Sequence, residues 1–235
     1  MPQIKTLPDG SSLQRHGLNH QAIEDYLKTI YKLARKESPV STSRLAEARA
    51  VKPASATGMI KRLSNLGLAD YEKHRGVTLT HEGEQIALEV IRHHRLIELY
   101  LIEALGYTWD EVHDEADLLE HVISEKLEER IAAVLGNPQF DPHGDPIPSK
   151  EGTIEIIAAR SLTLLEAGQT ARVIRVRDDH KGDLLRYLAD RGLQPGVEVT
   201  VVTVEPFDGP LTIAVAGEAH IIGRKAASAV LVDTG

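Results

Sequence analysis

The residues most able to do chemistry lie in the stretch His113-Asp-Glu-Ala-Asp117-Leu-Leu-Glu120-His121. Positions 113, 117 and 121 are spaced i, i+4, i+8, and Glu120 falls at i+7. If the segment is helical, at about 3.6 residues per turn, these four side chains form one stripe. Two imidazoles and two carboxylates on one face can close around a divalent cation with borderline-to-hard ligand preference. Leu118, Leu119, Val122 and Ile123 populate the other faces, so the stripe is not simply a solvated side. His94 and Glu98 form a second i, i+4 pair upstream, and Asp25 lies on an earlier helical segment. The alternative for each set is a solvated row of i, i+4 ion pairs.

Composition restricts the metal. There is no cysteine and there are two methionines, Met1 and Met59. Thiolate zinc and iron–sulfur sites are therefore excluded, as are disulfides, in keeping with a reducing compartment. Nitrogen and oxygen donors remain, which suit Mn(II), Fe(II), Co(II) or Zn(II), and oxygen-rich sets favour Mn(II). No apolar run approaches the ~20 residues of a membrane span, and the first residues lack a signal-peptide pattern. A cytoplasmic protein without a membrane partner is expected.

The elements that must position these residues follow from periodicity. Residues 1–17 read as a mobile arm. Asn19 is placed to cap a helix over about 20–36, with Ile23, Tyr26, Leu27, Ile30 and Tyr31 at helical spacing. A short helix carrying Leu45 and Ala46 follows, capped by Ser41, Thr42 or Ser43. Pro53 opens the next helix, about 53–66, and Gly67 ends it. Residues 68–73 and 77–80 read as a hairpin with a basic His74-Arg75-Gly76 tip. This order is that of a winged helix-turn-helix, a DNA-reading module, although such a fold can also serve as a protein-binding unit.

Lys52, Pro53, Ala54, Ser55 and Thr57 sit at the start of the recognition helix, where small residues approach base edges. Lys61, Arg62 and Arg75 are placed for phosphates. No Asn or Gln faces out there, so thymine-methyl contact and DNA shape carry more of the expected readout. The charge distribution agrees. The formal net charge is −8, but residues 1–88 hold 13 Lys/Arg against 9 Asp/Glu, while residues 89–152 hold 5 against 15. Phosphates suit the first segment and cations the second.

Downstream, a long helix is expected from Thr80 to Leu105, then a helix near 109–113 continuous with the stripe, and another to Leu135. Residues 140–152, rich in Pro and Gly, read as a linker or an extended clasp. After a short helix ending at Leu165, strands are expected at 171–176, 197–204, 211–215 and 229–232, with a helix at 184–191. That texture suggests a small SH3-like barrel. The fold class is therefore mainly α with small β. The expected domains are a winged helix-turn-helix at 1–88, a helical metal-binding and dimerisation domain at 89–152, and an SH3-like domain with its leading linker at 153–235.

An enzyme is not expected. There is no His-Glu-x-x-His, no Gly-rich phosphate loop and no Gly-x-Ser-x-Gly elbow. His180 and Asp183 read as a polar turn, with metal ligation as the alternative. His16, His20, His81, His143 and His220 form no constellation in the sequence.

These motifs resemble the diphtheria toxin repressor and manganese transport regulator family of metal-dependent repressors. The likeness lies in Asp25-Tyr-Leu-Lys-Thr-Ile-Tyr31, residues 53–68, Leu79-Thr80-His-Glu-Gly83, His94-Arg-Leu-Ile-Glu98, Val112-His-Asp-Glu-Ala116, Glu120-His121 and residues 137–147. The resemblance implies a homodimer that binds a palindromic double-stranded operator when loaded with metal. No small organic substrate is implied. It also implies that His94, Glu98 and His113 hold one metal ion and Asp25, Asp117, Glu120 and His121 another. Carboxylates stand where the iron-responsive branch has Met and Cys, at Asp25 and Asp117, which implies Mn(II), with Fe(II) as the alternative. Lys28 stands where small manganese regulators carry a further carboxylate, against a binuclear site of that kind.

Overall fold

The structure is a computed structural model that describes residues 18–177 and 181–233. The expected N-terminal arm and His180 lie outside the described residues. The chain divides into two compact units. One comprises residues 1–93, 119–129 and 148–153, and the other residues 94–118, 130–147 and 154–235.

The first unit opens with α1 (Leu18–Ala34), which starts before Asn19, so Asn19 lies inside the helix. Ile23, Leu27 and Ile30, at i, i+4 and i+7, are buried along one face. Helix α2 (Thr42–Ala48) is capped by Ser41, whose hydroxyl accepts from the Arg44 N–H. Helix α3 (Pro53–Asn65) starts on Pro53 as expected, and Gly67 beyond its end has φ +70°. Strands β1 (Ala69–Glu72) and β2 (Gly76–Leu79) pair antiparallel from Ala69↔Leu79 to Glu72↔Gly76. Val40 exchanges two backbone hydrogen bonds with Val77, pinning the wing to the loop between α1 and α2. Leu45, Ile60, Leu63, Leu68 and Val77 share one core with the α1 face. Helix α4 (His81–Leu105) begins against this core. A Cβ at Gly83 would overlap the Leu68 carbonyl, which explains a glycine inside a helix.

The metal stripe is not one helix. Helix α5 covers Val112–Leu119, and residues 120–122 form a turn. Helix α6 (Glu125–Val134) then starts on Ser124, whose hydroxyl accepts from the Leu127 N–H. Only His113 and Asp117 therefore share a helical face.

In the second unit, Leu96, Ile131, Ala132 and Ile147 form a small core. Residues 160–232 form a six-stranded antiparallel sheet in the order β3-β8-β4-β5-β6-β7. Its strands are β3 (Arg160–Ser161), β4 (Thr170–Val176), β5 (Glu198–Val204), β6 (Leu211–Val215), β7 (Glu218–Ile222) and β8 (Val230–Val232). Helix α7 (Gly182–Ala189) and the one-turn α8 (Arg224–Ala227) accompany it. Leu162, Val173, Leu185, Leu188, Val201 and Ile213 fill its core. Among the described residues β3 and β7 are not paired with each other, so the expected barrel is an open sheet. The helix expected up to Leu165 is a single 3-10 turn, Leu162–Leu164.

Candidate metal centres and nucleic-acid interface

In the second unit, α4 and α5 bring four predicted ligands together. His94 Nε2 lies 3.0 Å from Glu98 Oε1, and His113 Nδ1 lies 3.2 Å from the same oxygen. Asp117 offers one oxygen 3.3 Å from His94 Nδ1 and the other 3.8 Å from His113 Nε2. The structure thus places Asp117 with His94 and His113, whereas the resemblance grouped it with Asp25, Glu120 and His121. Burial opposes ionisation of Glu98, but the charges and hydrogen bonds of His94 and His113 hold its carboxyl well below the usual range.

A second group in this unit was not expected. Ligand atoms of Glu98, Asp141 and His143 lie within 4.8 Å of one another, and all three residues are buried. Glu98 Oε2, Asp141 Oδ2 and His143 Nδ1 are buried with no hydrogen-bond partner; the Nε of Arg95 is 3.4 Å from Asp141 Oδ2. The other atoms are spoken for. Asp141 Oδ1 accepts from the backbone N–H groups of His143 and Asp145. His143 Nε2 lies 3.1 Å from the Trp109 carbonyl, which requires an N–H there and leaves Nδ1 as the nitrogen facing Glu98 at 3.9 Å. Burial, then the Glu98 and Asp145 charges, push the Asp141 carboxyl well above its ordinary range. Buried polar atoms aimed at one point without hydrogen bonds are costly unless a proton or a cation joins them. The donor set therefore fits a divalent ion, and Glu98 faces both groups with one oxygen each.

The loop carrying Asp141 and His143 is held from the C-terminal sheet. Val176 N–H donates to the His143 carbonyl, and Arg175 reaches Asp145 at 3.2 Å. The Trp109 ring stacks on His143 at 5.4 Å. Gly144 has φ +85°, and a Cβ there would overlap the Ile174 carbonyl. Reading 140–152 as a linker or an extended clasp assigns these residues no ligand role. An Asp-Pro-His-Gly sequence, with two ligand types at i and i+2 before a turn glycine, was the available signal.

The first unit holds the remaining predicted ligands. Asp25 on α1 and Glu120 and His121 in the turn after α5 bring their ligand atoms within 4.8 Å. His121 Nε2 is 3.1 Å from Asp25 and 3.3 Å from Glu120, while Nδ1 is 2.7 Å from Glu24. Burial disfavours a charged His121, yet the hydrogen bonds to Asp25 and Glu24 raise its pKa to about 9. Burial likewise opposes a charged Glu24, but His121 and His20 bring it down to about 2. Lys28 donates to both oxygens of Glu120, at 2.9 and 2.7 Å, and Arg49 to Asp25 at 2.9 Å. The carboxylates of this group are thus already compensated by ammonium, guanidinium and imidazolium. A metal ion fits the donor set, in competition with those cations. Glu24, unnoticed in the sequence, was discernible only as the neighbour of Asp25.

Lys52, the N-cap of α3, and Pro53, Ala54, Ser55 and Lys61 on it are exposed, and Thr57 is half-buried, its hydroxyl donating to the Pro53 carbonyl. Arg75, at the wing, is exposed and pairs with Glu72 at 2.8 Å. Asp183 is exposed and pairs with Arg186 rather than with any of these groups.

Such a molecule belongs to the class of DNA-binding proteins governed by a metal. Three family models match: the iron dependent repressor N-terminal DNA binding domain over residues 20–77, the iron dependent repressor metal binding and dimerisation domain over 80–149, and the FeoA domain over 160–234. The iron-dependent repressor IdeR of Mycobacterium tuberculosis is 35% identical over 223 residues, covering 89% of this chain and 96% of that protein. The diphtheria toxin repressor of Corynebacterium diphtheriae is 29% identical, over 81% of this chain and 87% of that one. A solved manganese-dependent transcriptional repressor in complex with manganese is 41% identical, with a TM-score of 0.79, covering 90% of this chain and 99% of that one. The chain belongs to the diphtheria toxin repressor/IdeR family of metal-dependent transcriptional repressors, and it is not an enzyme. Among the described residues no helix is long and apolar enough to cross a membrane.

Proposed function

We propose that the protein is a manganese-dependent repressor of metal-homeostasis genes, acting in the cytoplasm as a homodimer on a palindromic operator. The observation that carries the choice of metal is the donor set. Every candidate group offers imidazole nitrogen and carboxylate oxygen, with no sulfur, and oxygen-rich sets suit Mn(II) better than softer ions. Fe(II) is the alternative effector, since the IdeR relatives are named as iron-dependent.

Asp25 sits on the first helix of the DNA-binding domain, and Glu120 and His121 sit in the metal-binding domain's turn. A bound divalent ion supplies the charge that draws these carboxylates and the imidazole to one centre. Asp25 then holds α1, and with it the winged module, at a fixed position against residues 119–129. Exposed Leu119, Val122 and Leu127 provide apolar surface for a two-fold contact. Metal and operator tighten each other's binding by the same factor.

The test is a gel shift on the protein's own promoter and on nearby transporter promoters with Mn(II), Fe(II) and Zn(II) in turn. Operator binding at the lowest free concentration with Mn(II) supports the reading, and metal-independent binding removes it. Asp25→Ala should lose the metal response while retaining its fold by circular dichroism.

A further inference from the structure

A fourth set of ligand-type side chains lies in the first unit, outside the groups described above. Glu89 and His93 are one turn apart on α4, and Glu125 and Glu128 occupy the first turn of α6. Ligand atoms of Glu89, His93 and Glu125 lie within 4.8 Å of one another. His93 is 3% exposed, and its Nδ1 sits 3.0 Å from the Glu120 carbonyl. A carbonyl oxygen only accepts, so Nδ1 carries a proton, and Nε2 is the nitrogen turned toward the carboxylates, where either a second proton or a cation can meet them. That Nε2 is buried and makes no hydrogen bond; the Glu128 oxygen facing it is 3.5 Å away. The other Glu128 oxygen accepts from Arg92 Nε at 2.6 Å, and Arg92 is anchored in turn on the Pro148 carbonyl at 2.8 Å.

A ligating histidine characteristically gives its second N–H to a carbonyl or carboxylate, which fixes ring and tautomer. His93 has that arrangement, with its free nitrogen turned toward acidic side chains. We propose that Glu89, His93 and Glu125, with the outer oxygen of Glu128, form an additional binding site for a first-row divalent cation. One nitrogen and carboxylate oxygens suit Mn(II), Fe(II), Co(II) or Zn(II) rather than a soft ion. A cation there clamps α4 to α6. Through the His93–Glu120 hydrogen bond it also steadies the backbone that presents Glu120 and His121. The site itself stands on its own geometry; its regulatory consequence rests on the proposed function.

The test counts Mn(II) bound per chain in the full-length protein at micromolar concentration, from loss of the free-ion electron paramagnetic resonance signal. Glu89→Gln/Glu125→Gln changes no buried residue and should bind about one equivalent fewer than the wild type. His93→Gln should do the same, and Asp25→Ala should remove a different equivalent, so that combining it with the double variant removes two. Crystals grown with Mn(II) should show anomalous density beside His93 Nε2. Unchanged stoichiometry and affinity in both Glu89→Gln/Glu125→Gln and His93→Gln would mean that a proton, not a metal, serves His93, and the site would be rejected. Because no DNA enters the assay, failure of Mn(II)-dependent operator binding would count against the proposed function and not against this site.

Discussion

Lys28 gives the sharpest handle on the Asp25 group. Its ammonium donates to both oxygens of Glu120, with side chains 11% and 1% exposed. At about 2.8 Å and an effective dielectric of about 20, the gross attraction is roughly 6 kcal/mol, most of it offset by desolvation. Removing one partner of a buried pair costs about 3–5 kcal/mol, because the other charge is left behind. Here His121, 3.3 Å from Glu120, takes up part of that charge. Lys28→Leu, which keeps an apolar stem and adds no metal donor, should therefore cost the metal-free protein about 2–3 kcal/mol. The freed carboxylate becomes a better ligand at once. Mn(II) should bind this group about 30–150-fold more tightly in the variant and restore most of the lost stability. Urea denaturation with chelator and with saturating Mn(II), on wild type, Lys28→Leu and Lys28→Arg, reads both effects. If Lys28→Leu matches the wild type in chelator, or if Mn(II) stabilises the two proteins equally, the idea of a resident cation competing with metal is wrong.

Two further outcomes follow from the same geometry. Lys61 is exposed on α3, so Lys61→Ala should weaken binding to every DNA sequence and lower the slope of log affinity against log salt by about 1; an unaltered slope would place Lys61 away from the phosphates. Glu24 is held at about 2, below its usual 4.5, and so adds stability above pH 4.5 that is lost as pH falls toward 2. His121 is held at about 9, above its usual 6.5, and adds stability below pH 6.5 that is lost as pH rises through 9. Metal-free protein should accordingly be most stable between those limits, and Glu24→Gln should flatten the alkaline limb, measured by thermal melting across pH. An alkaline limb of unchanged slope would exclude Glu24 as the partner of His121.

How much of this was readable beforehand depended on whether the signal was local. The winged module was legible because its devices are short-range: Pro53 opening a helix, Gly67 closing it, and Ile23, Leu27 and Ile30 repeating at helical spacing. The ligand types in His113–His121 were legible too, but their grouping was not. A period-based reading extends a helix until something stops it, and the stop here is Ser124 capping the next helix three residues after His121. Once α5 ends at Leu119, Glu120 and His121 leave the face of His113 and Asp117, and the set divides. Strand β7 was missed for a similar reason. Ala216 and Gly217, at φ +50° and +87°, make the two-residue turn that reverses β6 into it, whereas in the sequence Gly217 reads only as a separator. His143 could not be found by spacing, since Glu98, its metal-group partner, is 45 residues away in sequence and is reached only through tertiary contacts.

That remote pairing gives the C-terminal sheet a specific task in positioning candidate ligands. Asp141 and His143 come from a Pro- and Gly-rich loop that has no regular structure of its own, yet their ligand atoms are buried and aligned on Glu98. A loop of that kind is ordered only where something external over-determines it. Here β4 supplies the hydrogen bond from Val176 to the His143 carbonyl, the Arg175 contact to Asp145, and the close approach of the Ile174 carbonyl to Gly144. None of these residues is a candidate ligand. Gly144→Ala adds a Cβ where the Ile174 carbonyl stands and at a φ that L residues rarely adopt, so the loop must shift; Arg175→Ala removes one brace and leaves the backbone alone. Supporting contacts around metal ligands are typically worth about 10–100-fold in affinity. Both variants should lose metal affinity at the Glu98 group within that range, the glycine variant more, while low-salt, metal-independent DNA binding stays at the wild-type level. Calorimetric titration with Mn(II) separates the cases: wild-type affinity in both variants would mean that the loop holds its ligands without the sheet.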